Sequence, residues 1–220
     1  MSADAPVPLI KSSDGPISVA VNRRFSQPVS ARLARAGVSP NGATFIALAI
    51  GVVGAVAYGW QLWWLGGLLA QCSSIFAGVD GEIARRTGRS SQYGDFLDTV
   101  TDRFVEYVTF VGIGAGLAQS ERWDAIAWPL VTAGIGGSFM LAAASEKYRS
   151  VMHENYPKRQ LEPYFAYLAS GRDVRVFLLM VVSIVATWRL EVLVWALVAM
   201  IVVMHLNWVY RLVIVRGRMT

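Results

Sequence analysis

Apolar residues in this chain gather into long stretches, not the short alternating or single-face patterns of a soluble domain. Six mostly apolar segments stand out, at roughly 43–60, 63–84, 94–118, 125–145, 174–188 and 190–214. A helix needs about 18–20 such residues to cross a bilayer, and only the fifth segment is short for that purpose. The pattern predicts an all-α integral membrane protein with six transmembrane helices. The first apolar run begins only after about forty residues, which is not the layout of a signal peptide.

Two stretches precede the first span. Residues 1–16 carry Pro6, Pro8, Gly15 and Pro16 with no apolar period, the pattern of a flexible leader. From 17 to 36, Val21, Phe25, Val29 and Leu33 recur every four residues, with Arg24, Arg32 and Arg35 largely off that stripe. This predicts an N-terminal amphipathic helix lying in the membrane interface. Residues 17–220 thus read as one membrane domain. Ser39-Pro40-Asn41 reads as the start of the first span, with Ser39 or Asn41 as the capping side chain and Pro40 suited to a helix start. Gly51, Gly54, Gly134, Gly136 and Gly137 read as helix-packing positions. Trp60, Trp63 and Trp64 read as an interfacial belt, and the link 146–173 as the one sizeable loop.

Composition agrees with this outline. Of 220 residues 55% are hydrophobic, and the mean hydropathy is +0.44. The net charge of +5 is one-sided. Lys and Arg gather before the first span, between the second and third, between the fourth and fifth, and at the end, while Arg122 and Arg189 stand alone on the other side. By the positive-inside rule both termini face the cytoplasm. Such a charge suits anionic headgroups or phosphorylated substrates; no basic patch interleaved with aromatics points to nucleic acid. Cys72 is the only cysteine, which excludes internal disulfides and thiolate metal sites; it reads as a packing residue. His153 and His205 are isolated, and His205 reads as bonding a neighbouring helix.

The chemistry concentrates in Asp80-Gly81-Glu82-Ile83-Ala84-Arg85, followed by Gly94, Asp98 and Asp102. Asp98 and Asp102 are four apart, so a helix puts both on one face, and a short hairpin brings Asp80 opposite them. Carboxylates at bilayer depth pair, line a polar cavity or hold a cation. Oxygen donors without His or Cys nearby favour Mg²⁺ or Mn²⁺, or Ca²⁺, over zinc. Such an ion beside phosphate-binding residues points to catalysis at a phosphate. Arg85, one turn beyond Asp80, suits a diphosphate. The plainer alternative is a network in which Asp95, Asp98, Asp102, Arg103 and Glu106 satisfy one another.

The run Asp80-Gly81-x-x-Ala84-Arg85, eight residues, Gly94, three residues, Asp98, three residues, Asp102 resembles the signature of the CDP-alcohol phosphotransferases, D-x-x-D-G-x-x-A-R, eight residues, G-x-x-x-D-x-x-x-D. The resemblance extends over most of the chain. It implies transfer of a phosphate-linked alcohol from a CDP-alcohol donor to an acceptor hydroxyl, with release of CMP and dependence on Mg²⁺ or Mn²⁺. It assigns Asp80, Asp98 and Asp102 to metal, with Asp102 alternatively taking the acceptor's proton, so that catalysis rests on Asp98 and Asp102. It places Asp80, Gly81, Ala84, Arg85 and Gly94 at the nucleotide, with Asn41 and Thr44 nearby. It also implies a homodimer among membrane lipids.

One position departs from the signature. Where the family carries its first Asp, which helps hold a two-metal centre, this chain has Ala77. Three readings follow: a silent relative that binds CDP-alcohols, an altered sequence, or rescue by another carboxylate, with Asp95 the nearest substitute and Glu82 facing elsewhere. The lead-in Lys11 to Arg24 and the run Gly171 to Phe177 look like the di-myo-inositol-phosphate-phosphate synthase branch, which implies an inositol phosphate, a phosphorylated polyol, as acceptor. Lys147, Arg149, Arg172 and Arg175 read as a clamp for that acceptor's phosphate, or as ordinary positive-inside flanks. A CDP-diacylglycerol-dependent phospholipid synthase is the other enzyme reading. A cation transporter would place its carboxylates at mid-bilayer, whereas these sit toward one face.

Overall fold

A computed structural model describes residues 15–168 and 171–219, and the described chain is helical throughout. A π-helical turn, Ser18–Asn22, runs into α1 (Arg23–Arg35). Then follow α2 (Pro40–Gly59), α3 (Trp63–Phe76), α4 (Val79–Thr87), α5 (Gln92–Leu117) and α6 (Asp124–Met152). Two short helices, α7 (Lys158–Leu161) and α8 (Pro163–Leu168), precede α9 (Arg172–Ala186) and α10 (Leu190–Met219). Most of the expected leader lies outside the described residues.

Among the described residues, three helices are long and apolar enough to cross a membrane: α2, α6 and residues Leu190–Gly217 of α10. Many large side chains on them are exposed, among them Phe45, Val53, Phe139, Leu206 and Val213. A membrane protein meets lipid through such a surface. The other apolar helices, α3, α5 and α9, are shorter or carry more charge.

The expected second span, 63–84, is in fact two helices, separated at Ala77-Gly78. Asp80, Glu82, Arg85 and Arg86 cannot follow α3 into an apolar layer, and α4 instead turns its apolar Val79 and Ile83 onto Ala43, Val29 and Leu33. The stripe on α1 therefore packs partly on protein, leaving Phe25 exposed. The expected loop 146–173 is shorter than read from the sequence, because α6 runs on to Met152 and α7 and α8 lie beyond it.

Local chemistry sets the starts of the two helices that frame the site. Ser39 caps α2 by accepting the Gly42 N–H at 3.1 Å, with Pro40 opening the helix. Ser91 does the same for α5, accepting from Gly94 N at 3.0 Å. Gly88, at φ +66°, ends α4 in the left-handed region that favours glycine.

Helix α2 packs against α3 and α5, α3 against α9, and α10 against α6 and α9. The main core includes Tyr58, Phe110, Ile113, Leu117, Leu193 and Met204. Trp63 also lies in this core, so only Trp60 and Trp64 are left exposed as a belt. Gly51, Gly54, Gly134 and Gly137 lie against neighbouring helices as expected, but Gly136 faces open space. Cys72 is exposed, not a packing residue, because its face of α3 turns away from α2 and α9. His205 bonds the Ile201 carbonyl of its own helix at 2.9 Å.

Helices α2 and α5 approach closely at Gly112, where a β-carbon would collide with the Ala55 carbonyl of α2. Gly112→Ala must push the backbones of α2 and α5 apart, and thermal unfolding in detergent is expected to show a loss of about 1–3 kcal/mol. Gly136→Ala, in open space, serves as the neutral control.

Candidate active site

Two cavities meet where α4 faces α5. The second of them, about 290 Å³, is lined by Asn41 and Thr44 of α2, by Asp80, Gly81, Ala84 and Arg85 of α4, and by Gly94, Asp95 and Asp98 of α5. Every residue that the signature places at the nucleotide lines this one cavity. The first, about 230 Å³, contains Ala77, Asp80, Arg85, Asp98, Asp102, Arg103 and Arg172. Asp80, Gly81, Arg85 and Asp98 belong to both, so the cavities share a wall built from the signature itself.

Asp80 is buried and fixed from two sides. Thr44 Oγ1 donates to Asp80 Oδ2 at 2.6 Å, and the Gly81 N–H donates to Asp80 Oδ1. A β-carbon on Gly81 would lie 3.2 Å from Arg85 Nη1, so glycine lets the guanidinium lie over the backbone. Asp102 forms an ion pair with Arg172 at 2.5 Å. Burial works against the Arg172 charge, but Asp102, Glu106 and Asp98 more than offset it and hold the guanidinium above its ordinary range. Its Nε is buried without a hydrogen-bond partner among the described residues, a donor that a ligand oxygen would satisfy.

Of the expected phosphate clamp, only Arg172 reaches the first cavity. Arg175 is buried against Glu106 at 2.6 Å, with Ser138 beside it. Arg149 is half-exposed and pairs with Asp95 at 3.2 Å, and Lys147 is exposed. Asp95 therefore lines the second cavity and does not face Ala77. Glu106 pairs with Arg103 and Arg175, Asp102 with Arg172 and Asp95 with Arg149, and the charges of Asp102, Glu106 and Asp98 all act on Arg172, so part of the expected network is present.

Sequence reasoning missed one wall. Ser18, Asn22, Arg23 and Ser26, from the segment expected to lie in the membrane interface, line the first cavity, as does Asp173 of α9. Asp173 Oδ2 accepts the Ser18 N–H at 2.8 Å. The inner face of α1 is polar, and the available signal was its pair of buried serines, Ser26 and Ser30, spaced one turn apart.

The donor set can be tested against the implied metal. Among the described residues no three acidic or imidazole groups converge closely enough to hold an ion by themselves. Asp80 and Asp98 nevertheless share the junction of the cavities, and one or two carboxylates plus substrate phosphates are the usual protein share of a Mg²⁺ site. The residues fit one such ion. They do not fit two, because Ala77 offers no oxygen.

Comparison with known proteins places this geometry. The family model for CDP-alcohol phosphatidyltransferase matches residues 37–208, and the chain belongs to that family of transferases. It is 35% identical over 185 residues to the bifunctional IPC transferase and DIPP synthase of Archaeoglobus fulgidus, covering 84% of this chain but 35% of that protein. The phosphatidylinositol phosphate synthase of Cutibacterium acnes is 35% identical over 131 residues, 55% of this chain and 60% of its own. Thus the chain spans little more than a third of the Archaeoglobus relative. In fold it is similar to the Mycobacterium tuberculosis phosphatidylinositol phosphate synthase with CDP-DAG bound, at TM-score 0.68 and 20% identity, covering 86% of this chain and 92% of that one. That synthase has also been solved with manganese and citrate, where the match has TM-score 0.50, 21% identity and coverage of 77% and 88%.

Proposed function

We propose that this chain transfers a phospho-alcohol group from a CDP-alcohol, held in the second cavity, to the hydroxyl of a phosphorylated polyol in the first, releasing CMP. The observation that carries this reading is the shared wall: Asp80, Arg85 and Asp98 face both cavities, where a donor phosphate and an acceptor oxygen must meet. Kinship with the Archaeoglobus IPC transferase and DIPP synthase favours an inositol phosphate as acceptor.

In this reading Arg85 forms charge-assisted bonds to the diphosphate, and Thr44 holds Asp80 in place. A divalent ion, Mg²⁺ or Mn²⁺, on Asp80 and Asp98 would neutralise diphosphate oxygens. Asp102 lies on the acceptor side with Arg172 against it, placed to take the hydroxyl proton. Arg172 and Arg103 supply positive charge toward the acceptor's phosphate; Lys147, Arg149 and Arg175 have no role in the cavity.

The chain sits in the membrane as six spans, with α1 against the interface and the cavities and both termini on the cytoplasmic side, and it works as a homodimer. The basic residues on that side support this orientation. The Cutibacterium relative keeps a second reading in view, in which the donor is CDP-diacylglycerol.

The test is CMP release in detergent with Mg²⁺ or Mn²⁺. CDP-inositol and CDP-diacylglycerol are each offered with inositol phosphate or glycerol phosphate. Release with CDP-inositol and inositol phosphate is expected. Release only with CDP-diacylglycerol moves the chain to the phospholipid reading. Saturable CDP-alcohol binding with no release from any pair makes it a non-catalytic relative.

A further inference from the structure

The gap left by Ala77 is bordered by a cation. Arg23 lines the same cavity as Ala77, and its Nη1 donates to the carbonyl of the adjacent Gly78 at 3.3 Å. A β-carbon on Gly78 would lie 2.9 Å from that nitrogen, so the glycine makes room for the guanidinium. The arginine is held from behind. Glu82, fully buried, accepts from Arg23 Nη1 at 2.7 Å and from Ser26 and Ser30, each at 2.6 Å. Three donors hold this carboxylate in place, and it anchors its partner. Two facts thus coincide at one edge of the cavity: a position that cannot ligate an ion, and a fixed positive charge beside it.

We propose that Arg23, clamped by Glu82, faces the transferred phosphate in place of a second divalent ion, so that this centre works with one ion and one guanidinium. The inference rests on the transferase reading. A guanidinium does some of what a second ion does: it offsets phosphate charge and donates directed hydrogen bonds. It does not lower the pKa of a bound group as a metal does, which leaves proton removal to Asp102. An aspartate at position 77 would pair with Arg23 unless the arginine were also removed, so the two positions are coupled.

Two readouts need no turnover. The first is the number of Mn²⁺ ions bound per chain in detergent, by equilibrium dialysis or electron paramagnetic resonance, with CDP present. The unmodified chain is expected to hold one, and Ala77→Asp/Arg23→Gln two. The second is affinity for CDP against CMP, since the terminal phosphate of CDP stands for the one transferred. Arg23→Gln is expected to weaken CDP about tenfold or more, the scale of a charged hydrogen bond, while leaving CMP nearly unchanged, and Arg23→Lys to recover some of the loss. Two ions in the unmodified chain would overturn the proposal; if Asp173→Asn then removed one, Asp173 would be the substitute ligand. Equal weakening of CDP and CMP would reduce Arg23 to a structural role. A chain that met both expectations yet released no CMP would sink the transferase reading and with it the transfer step, leaving Arg23 only as a binding partner of the terminal phosphate.

Discussion

Asp98→Asn is expected to cut CMP release by about 1,000-fold or more while the protein stays folded. The side chain lines both cavities, is partly exposed, and sits on a helix already capped by Ser91. Its removal therefore costs little packing. What is lost is charge at the junction, where electrostatic stabilisation of a transferring phosphate is worth the most. The measurement is single-turnover CMP release beside a thermal melt. The same loss in Asp98→Asn and Asp102→Asn, each with an unshifted melt, would agree with catalysis at the junction; a melt lowered in step with activity would make Asp98 a structural residue. Thr44→Val should be milder, since it removes one of the hydrogen bonds that fix Asp80 and leaves that of Gly81.

Arg211→Met is expected to give a large stability loss, about 3–5 kcal/mol, with no direct effect on the site. Its guanidinium is 2% exposed and donates to Glu162 at 2.6 and 3.2 Å, to the Leu141 carbonyl at 2.9 Å and to Ser145 at 2.8 Å, and it lies over the Tyr156 ring. This one side chain ties α10 to α6 and to the segment before α8. Removing it strands a fully buried carboxylate. The double variant Arg211→Met/Glu162→Leu should lose much less than the two single changes added together, because no lone charge remains. Unfolding in detergent reads both, and simple additivity would show that the pair is not what holds these helices.

Where the sequence was legible, the relevant distances were short along the chain. Asp98 and Asp102 could be placed on one face because helical spacing fixes that, and both line the first cavity. The cap Ser39, one of the two candidates, acts three residues away. The residues that the signature assigns to a nucleotide form three local groups, at 41–44, 80–85 and 94–98, and a helical hairpin brings the last two together, as expected. The charge pattern was a poorer guide. Lys147, Arg149, Arg172 and Arg175 look alike in sequence, but neighbouring positions on a helix point in different directions, and only Arg172 enters the cavity. The π-helical turn and α1 were read by their apolar stripe, yet their polar side forms a wall of the site. The contacts that make it so, Ser18 to Asp173 and Arg23 to Glu82, join residues 155 and 59 positions apart.

The order of residues alone determined the helical membrane character, the signature and the departure at Ala77, because hydropathy and spacing along a helix are properties of the covalent chain. The tertiary structure decided the break of the expected second span at Ala77-Gly78, the partner of each buried arginine, and the division of the signature between two cavities. Those depend on which distant helix packs opposite each face. Where water is excluded, a charge takes the partner that the packing provides.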